Sequence, residues 1–357
     1  MRILNVIPTL RGGGAERQLA YLAGGLRDLG CDVHVALLHG GTNQARLEAA
    51  QATIHRLDVS SNYDPRIVLQ LVRLIRRIHP DVVQTWITQM DVFGGIAALL
   101  THTPWMLSDR SSGPHYDRNL REASRRAVGR FANAIVANSE PGLHGWEDSR
   151  ARRYVVHNAV VFSDIEKAPR DDSDYGDAKI VLFGGRMERQ KNVATLLTAL
   201  REVMKQRDVI ALLCGIGPLE EEYRASIAAA GLSDRIRMLG FCENLPSLMK
   251  RADVLVAPSW FEGHPNVSIE AATVGCPLIV SDIPAHRGWL DENSALFAPT
   301  NDPRAFARAI LQTLDDPAAA RARAGRAREL VRDWSVERCA KSYLRIYEEL
   351  RAERAGA

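Results

Sequence analysis

Cysteine is scarce: Cys31, Cys214, Cys242, Cys276 and Cys339 are odd in number, widely spaced and free of any C-x-x-C pair. That excludes a disulfide framework and zinc-site spacing, and it predicts a reducing compartment. Long apolar runs are missing as well. The nearest, residues 92–100, falls well short of the roughly 20 residues that span a bilayer. Residues 3–7 behind Met1 and Arg2 are too short for a signal peptide, so residence in the cytoplasm is expected. Neither sign of charge dominates, since 46 Lys and Arg face 43 Asp and Glu, leaving a net charge of +3. So small a surplus argues against nucleic-acid binding. No low-complexity tract, H-E-x-x-H, Walker A or G-x-S-x-G pattern occurs.

What is present is an ordinary globular composition, 46% hydrophobic and 25% charged, in 357 residues, a length suited to two domains. Strand-like segments at 3–7, 32–38, 53–57, 82–85, 105–108 and 134–137 alternate with helical periods at 15–29 and 65–78, which is the pattern of a parallel α/β sheet. The polar, acidic, proline-containing stretch 164–178 reads as a linker between a domain of 1–163 and one of 179–337. After it come strands at 180–183, 209–214, 236–239, 254–257 and 278–280, with helices at 193–206, 219–230, 246–251 and 267–274. This predicts a second doubly wound domain, and two such sheets facing one another would leave a cleft at the carboxyl ends of their strands. Residues from 303 on read as helical, and the last helix, about 338–357, is expected to pack back on the first domain.

Chemistry concentrates in three loops. Glu262-Gly263-His264-Pro265-Asn266-Val267-Ser268-Ile269-Glu270 follows a strand, and seven residues separate its two glutamates. Asn266 is a suitable N-cap for the helix that follows, and a helix N-terminus at a sheet's carboxyl edge suits a diphosphate. Carboxylates there would face hydroxyls of ribose or of a sugar. From spacing alone a second reading stands beside this one, with Glu270 complementing the helix dipole and Glu262 solvated. The second loop, Gly184-Gly185-Arg186-Met187-Glu188-Arg189-Gln190-Lys191-Asn192, offers a guanidinium and an ammonium as a clamp for a leaving diphosphate. In the third, Gly12-Gly13-Gly14-Ala15-Glu16-Arg17 opens a helix. Neither this turn nor Gly215-Ile216-Gly217-Pro218 completes G-x-G-x-x-G, and the second strand ends at Leu38-His39 without a ribose-binding acid, which disfavours a dehydrogenase. Asp172-Ser173-Asp174 has the spacing of a metal-binding D-x-D but lies in the linker.

Taken in order, these segments resemble glycosyltransferase family 4 of the GT-B superfamily, whose members retain anomeric configuration and generally need no metal or other cofactor. The resemblance implies an α/β fold of two Rossmann-like domains facing a central cleft. It also implies a hexose-type transferase that takes sugar from a nucleotide-diphosphate donor. Glu262 to Glu270 matches the family's E-x7-E segment, and Gly185-Arg186 with Lys191-Asn192 looks like its basic phosphate-binding motif. By resemblance, Arg186 and Lys191 neutralise the diphosphate, Glu262 faces the donor sugar and Glu270 binds ribose. Gly185, Gly215, Gly217, His264, Pro265, Asn266 and Val267 line the donor, and Gly13 and Gly14 approach it from the first domain. The segment Asp282-Ile283-Pro284-Ala285-His286-Arg287 is similar to the family's loop after that motif.

Three departures accompany the resemblance. Many members carry a histidine where Leu107-Ser108-Asp109-Arg110-Ser111-Ser112 stands here, which leaves Arg110, His115 or neither for that contact. His157-Asn158-Ala159 replaces an Asn-Gly turn, and Gly288 stands where a glutamate is common.

The similarity to members that build bacterial surface polysaccharides implies a glycan or lipid-linked acceptor, read by the first domain. Arg73, Arg76, Arg77, Arg118, Arg121, Arg125, Arg126 and Arg130 could face anionic lipid from the inner side of a membrane, with solvated helix faces as the alternative. Two rival functions are a GT-B nucleotide-sugar epimerase and a catalytically silent sugar-binding scaffold. A scaffold would be marked by loss of a motif glutamate or of the basic pair, and both are intact.

Overall fold

A computed structural model describes residues 1–59, 61–110 and 120–356, apart from the side chains of 355 and 356. The chain divides into one unit of residues 1–159 with 334–357 and another of residues 160–333.

The strands of the first unit are β1 (Arg2–Val6), β2 (Asp32–Leu37), β3 (Thr53–Arg56), β4 (Val82–Trp86), β5 (Trp105–Asp109), β6 (Ala134–Ala137) and β7 (Arg152–Val155). They form a parallel sheet in the order β3-β2-β1-β4-β5-β6-β7. Its helices are α1 (Gly14–Asp28), α2 (Gln44–Ala49), α3 (Arg66–Ile78), α4 (Thr88–Leu100), α5 (Leu120–Gly129) and α6 (Glu140–Leu143). A parallel sheet is covered on both faces, so β4 is buried along its whole length and its polar side chains must pair internally. Gln84 donates to Ser108 Oγ (2.6 Å), Thr85 to Asp91 Oδ1 (2.7 Å) and Trp86 Nε1 to Asn5 Oδ1 (3.0 Å). On α3, the buried stripe Ile67, Leu71, Leu74, Ile75 and Ile78 follows the helical period, and Arg73, Arg76 and Arg77 remain exposed.

The second unit carries β8 (Lys179–Gly184), β9 (Val209–Cys214), β10 (Ile236–Gly240), β11 (Val254–Ala257), β12 (Leu278–Ser281) and β13 (Leu296–Ala298) in the parallel order β10-β9-β8-β11-β12-β13. Its helices are α7 (Phe162–Lys167), α8 (Val193–Val203), α9 (Glu220–Ala229), α10 (Leu245–Arg251), α11 (Asn266–Thr273), α12 (Pro284–Arg287), α13 (Pro303–Asp315) and α14 (Pro317–Val331). Phe183, Leu196, Leu200, Leu213, Val254, Phe306 and Ile310 belong to its core. Asp302 and Asp316 start α13 and α14 by accepting the N–H groups of Ala305 and Ala319, each at 3.0 Å, with proline at the first helical position. The chain then returns to the first unit as α15 (Val336–Gly356), which packs on α1. Gly25 permits that approach, because a Cβ there would lie 2.8 Å from Ala340 Cβ.

The structure departs from the sequence reading at several points. Residues 164–178, expected as a linker, belong to the second unit, and the boundaries fall at 159/160 and 333/334. Polar composition concealed the reason, which is that Lys250 Nζ binds the carbonyls of Glu166 (2.7 Å) and Ala168 (2.6 Å), while Asp171 N donates to Ser247 O (3.2 Å). Asn266 is the first residue of α11 rather than its cap; the cap position is Pro265, and no side-chain cap bond forms. Arg125, counted among the lipid-facing arginines, is buried against Asp91 (2.7 Å), Asp109 (3.3 Å) and Glu122 (3.6 Å). Its side of α5 is the one that packs inward, beneath the Trp146 ring. Arg118 lies outside the described residues. The sequence reading missed the short elements α2, α6, α7, α12, β7 and β13. It also missed α4, which packs on α3 and α5 with Met90, Gly94, Gly95, Ala97 and Ala98 buried, while Leu99 and Leu100 at its end are exposed. Among the described residues no helix is long and apolar enough to cross a membrane.

Candidate functional site

In a doubly wound sheet the strand order reverses at one place, and the loops leaving the carboxyl ends of the two strands there diverge and open a crevice. In the second unit those strands are β8 and β11. The loops that follow them hold Arg186 and Lys191 on one side and Glu262 on the other.

The two loops are bolted together. Trp260 N donates to Gln190 O (2.9 Å), Gln190 Nε2 to Phe261 O (2.9 Å), and Asn192 Nδ2 to Pro258 O (3.0 Å) and Thr300 O (2.8 Å). Asn192 itself sits at φ +53, in the left-handed region that asparagine tolerates, and Thr195 Oγ1 donates to its Oδ1 (2.8 Å). Across this clasp Lys191 Nζ meets Glu262 Oε1 at 2.6 Å, and Ser259 Oγ donates to the same oxygen at 2.6 Å.

Burial by itself would raise the pKa of Glu262. The charge and hydrogen bond of Lys191, the Ser259 hydroxyl and the nearby His286 ring outweigh burial and hold the carboxyl below its ordinary value. Glu262 is therefore an ionised carboxylate at neutral pH. Behind it, Ser281 Oγ donates to Ser259 O (2.6 Å) and His286 Nδ1 donates to Ser281 O (2.9 Å). Burial pushes the imidazole of His286 down to about 4, against the Ser281 carbonyl, so the ring is neutral.

A third loop, after β9, lies against the basic loop. Gly185 N donates to Cys214 O (2.9 Å) and Met187 N to Ile216 O (3.0 Å). Gly215 is at φ +141, and a Cβ there would fall 1.8 Å from Gly185 O; at Gly217 it would fall 2.5 Å from Met187 O. These glycines have a packing reason that is complete without a ligand. Val267 lies against the end of β8, where a Cβ on Gly184 would be 3.1 Å from Val267 Cγ1, so the N-terminus of α11 stands beside the basic loop. His264 and Pro265 are buried at that end, and Glu270, half-buried, is the fifth residue of the helix.

Arg186 differs from Lys191. Its side chain is 68% exposed and its guanidinium pairs with Glu188 at 2.8 Å. Lys191 is thus paired with the buried glutamate, while Arg186 stands in solvent on the same loop.

In the first unit, Gly13 precedes α1 and Gly14 begins it, on the turn that leaves β1 at the reversal between β1 and β4. A Cβ on Gly13 would lie 2.1 Å from Glu16 Oε2, so a larger residue there would displace the carboxylate end of the buried Glu16 side chain. Arg110 follows β5 and lies 4.4 Å over the Trp86 ring, donating to Asn158 Oδ1 (2.9 Å) and Tyr343 Oη (2.6 Å). These contacts tie the ends of β4 and β5 to α15. His115 lies outside the described residues. Among the described residues no group of three or more His, Cys, Asp or Glu side chains is placed to hold a metal ion.

The sequence reading did not assign Gln190, Ser259, Ser281 or His286 to the site. Ser259 carried one signal, its position between a strand end and Glu262.

Comparison with known proteins shows the family. Residues 12–163 match the family described as Glycosyltransferase Family 4, and residues 164–330 match Glycosyl transferases group 1. The chain is 30% identical, over 71% of its length and 68% of the relative's, to the 2-deoxystreptamine glucosyltransferase of Streptomyces kanamyceticus. It is 24% identical, over 98% of its length and 99% of the relative's, to a Campylobacter jejuni GalNAc-alpha-(1->4)-GalNAc-alpha-(1->3)-diNAcBac-PP-undecaprenol alpha-1,4-N-acetyl-D-galactosaminyltransferase. Among solved structures, Anabaena HepE in complex with UDP-glucose superposes with a TM-score of 0.86 at 20% identity, covering 98% of this chain and 100% of that one. At that identity the likeness is one of fold.

Proposed function

We propose the following reaction for this chain, which belongs to the group 1 and family 4 glycosyltransferases: retaining transfer of a hexose-type sugar from a nucleoside-diphosphate donor to a glycan or lipid-linked acceptor in surface polysaccharide assembly. The observation that carries the donor half is the Lys191–Glu262 contact of 2.6 Å at the carboxyl edge of β8 and β11, beside the N-terminus of α11.

The diphosphate lies against the N-terminus of α11, where the direction of the backbone N–H groups and the helix dipole favour an anion. Arg186, exposed beside Glu188, and the Lys191 ammonium carry the charge that develops on the departing phosphate oxygen. Glu262 accepts a hydroxyl of the transferred sugar, and Glu270 accepts the ribose hydroxyls. The bond from the anomeric carbon to the β-phosphate oxygen breaks with its electron pair going to the phosphate. The acceptor oxygen attacks from the same face, and its proton passes to that phosphate oxygen. No metal is required where two cations and a helix terminus serve the diphosphate.

The acceptor half rests on two supports. The Campylobacter relative is named for an acceptor on diphosphate-undecaprenol. In the first unit, α4 packs beside both α3 and α5, and this group exposes Leu69, Leu100, Leu120 and Phe131 together with Arg73, Arg76, Arg77 and Arg130. Apolar side chains among arginines suit the headgroup region of an anionic leaflet, so the enzyme works as a peripheral protein on the inner face of the membrane.

The test has two arms. Thermal shift with UDP, GDP, ADP and dTDP should select one nucleotide, and labelled sugar from its conjugate should then appear on a polyprenyl-diphosphate-linked saccharide with anomeric configuration retained. Binding of none of the four, or an inverted product, sinks the reading.

A further inference from the structure

We propose that Ser259 is a positioning residue for the transfer step, holding the Glu262 carboxylate in place once the incoming diphosphate draws the Lys191 ammonium away. The inference rests on the donor-site reading above and concerns a residue whose hydroxyl meets no substrate in that reading.

Both hydrogen-bond donors that Glu262 meets among the described residues fall on one oxygen, Oε1: Lys191 Nζ at 2.6 Å and Ser259 Oγ at 2.6 Å. The other oxygen is left for a substrate hydroxyl. The two donors are not equivalent. An ammonium is a compact charge on a flexible stem, with little directional demand, and the same charge is wanted by a diphosphate. When the donor binds, the pull of Lys191 on Glu262 weakens.

The serine hydroxyl is different in kind. Ser259 is 2% exposed, and its backbone is fixed from two sides. Its carbonyl accepts Ser281 Oγ (2.6 Å), and Ser281 O in turn accepts the imidazole N–H of the fully buried His286 (2.9 Å). The neighbouring peptide groups are held by Asn192 on Pro258 O (3.0 Å) and by Gln190 on Trp260 N (2.9 Å). A donor set this rigidly fixes the carboxylate torsion without depending on the state of Lys191. It also helps keep a buried carboxyl ionised, because a hydrogen bond to the charged form opposes the effect of burial.

Purified Ser259→Ala, Ser259→Thr, Glu262→Gln and Ser259→Ala/Glu262→Gln proteins test this. The probes are UDP, GDP, ADP and dTDP for binding and the matching hexose conjugate for turnover. Ser259→Ala should lower kcat about tenfold, the scale of one hydrogen bond to a charged group. Affinity for the bare nucleoside diphosphate, which has no sugar for Glu262 to contact, should stay within about twofold. Ser259→Thr, which keeps the hydroxyl, should recover most of the rate. In the Glu262→Gln background, Ser259→Ala should cost less than about twofold further, since coupled residues are non-additive. The proposal is overturned if Ser259→Ala turns over like wild type, or if its effect multiplies in full with that of Glu262→Gln. A joint fall of nucleotide affinity, kcat and Tm that threonine does not restore overturns it as well, by showing a merely structural role. A wild type that binds none of the four nucleotides overturns the donor-site reading itself and is distinguishable from each of these.

Discussion

Lys191 and Glu262 lie 71 positions apart in the chain, and their side chains meet at 2.6 Å, 18% and 11% exposed. Removing either partner leaves the other buried without its counter-charge, which costs much more than an exposed pair would. Lys191→Ala is therefore expected to lose about 3–5 kcal/mol of stability and about 10²–10³ in kcat. Denaturant unfolding and steady-state rates check both; an unchanged midpoint would mean that the pair separates freely in solution.

The same pair sets a pH dependence. Glu262 is held below its ordinary value of 4.5, so its contribution to stability is fully present above that pH and is lost as the pH falls through the lower, folded value. Glu262→Gln should flatten the acid side of the stability profile below pH 4.5 relative to wild type. Parallel wild-type and variant profiles over that range would refute the assignment.

Arg186 should behave in the opposite way to Lys191. With its side chain 68% exposed, Arg186→Ala is expected to stay within about 0.5 kcal/mol of wild-type stability. It should weaken nucleoside-diphosphate binding about tenfold, the loss of one charge-assisted contact. Titration calorimetry reads the affinity, and wild-type binding in the variant would remove Arg186 from the diphosphate site.

Gly215→Ala places a methyl group 1.8 Å from the Gly185 carbonyl oxygen at φ +141. The backbone must shift, at a cost of about 1–3 kcal/mol or more for strain alone, and the basic loop shifts with it, so donor affinity should fall. Gly231→Ala is the control, since it has a left-handed φ of +65 and no atom within 4 Å, and there only the smaller conformational cost is expected.

The arginines of the first unit divide into two groups that vesicle binding can separate. Exposed Arg73, Arg76 and Arg77, changed together to glutamate, should abolish co-sedimentation with anionic vesicles at low salt while leaving Tm almost unchanged. Arg125→Ala should instead unfold the first unit more readily, because Asp91, Asp109 and Glu122 lose the guanidinium within 2.7, 3.3 and 3.6 Å. A chelator such as EDTA should leave the transfer rate within about twofold, as expected where fixed cations and dipoles stabilise the leaving group.

The sequence by itself determined what short-range physics controls. Alternation of apolar runs with helical periods announced most strands and helices within a few residues, because burial of one face imposes its period on the chain. The helical character of the chain from residue 303 on was legible, and the glycine, proline and charged residues around Arg186, Lys191 and Glu262 identified loops with chemistry to perform. What the tertiary structure decided is which of those residues meet. That Lys191 is occupied by Glu262, that Ser259 and His286 stand behind them, that Gly215 is required by a carbonyl on another loop, and that Arg125 faces inward all depend on side chains brought together across the sheet. The linker reading failed for the same reason: the composition of 164–178 records its polarity, whereas the Lys250 ammonium that binds its carbonyls comes from a helix more than eighty residues away. A local pattern states which way a residue faces; only the packing of elements distant in the chain states what it faces.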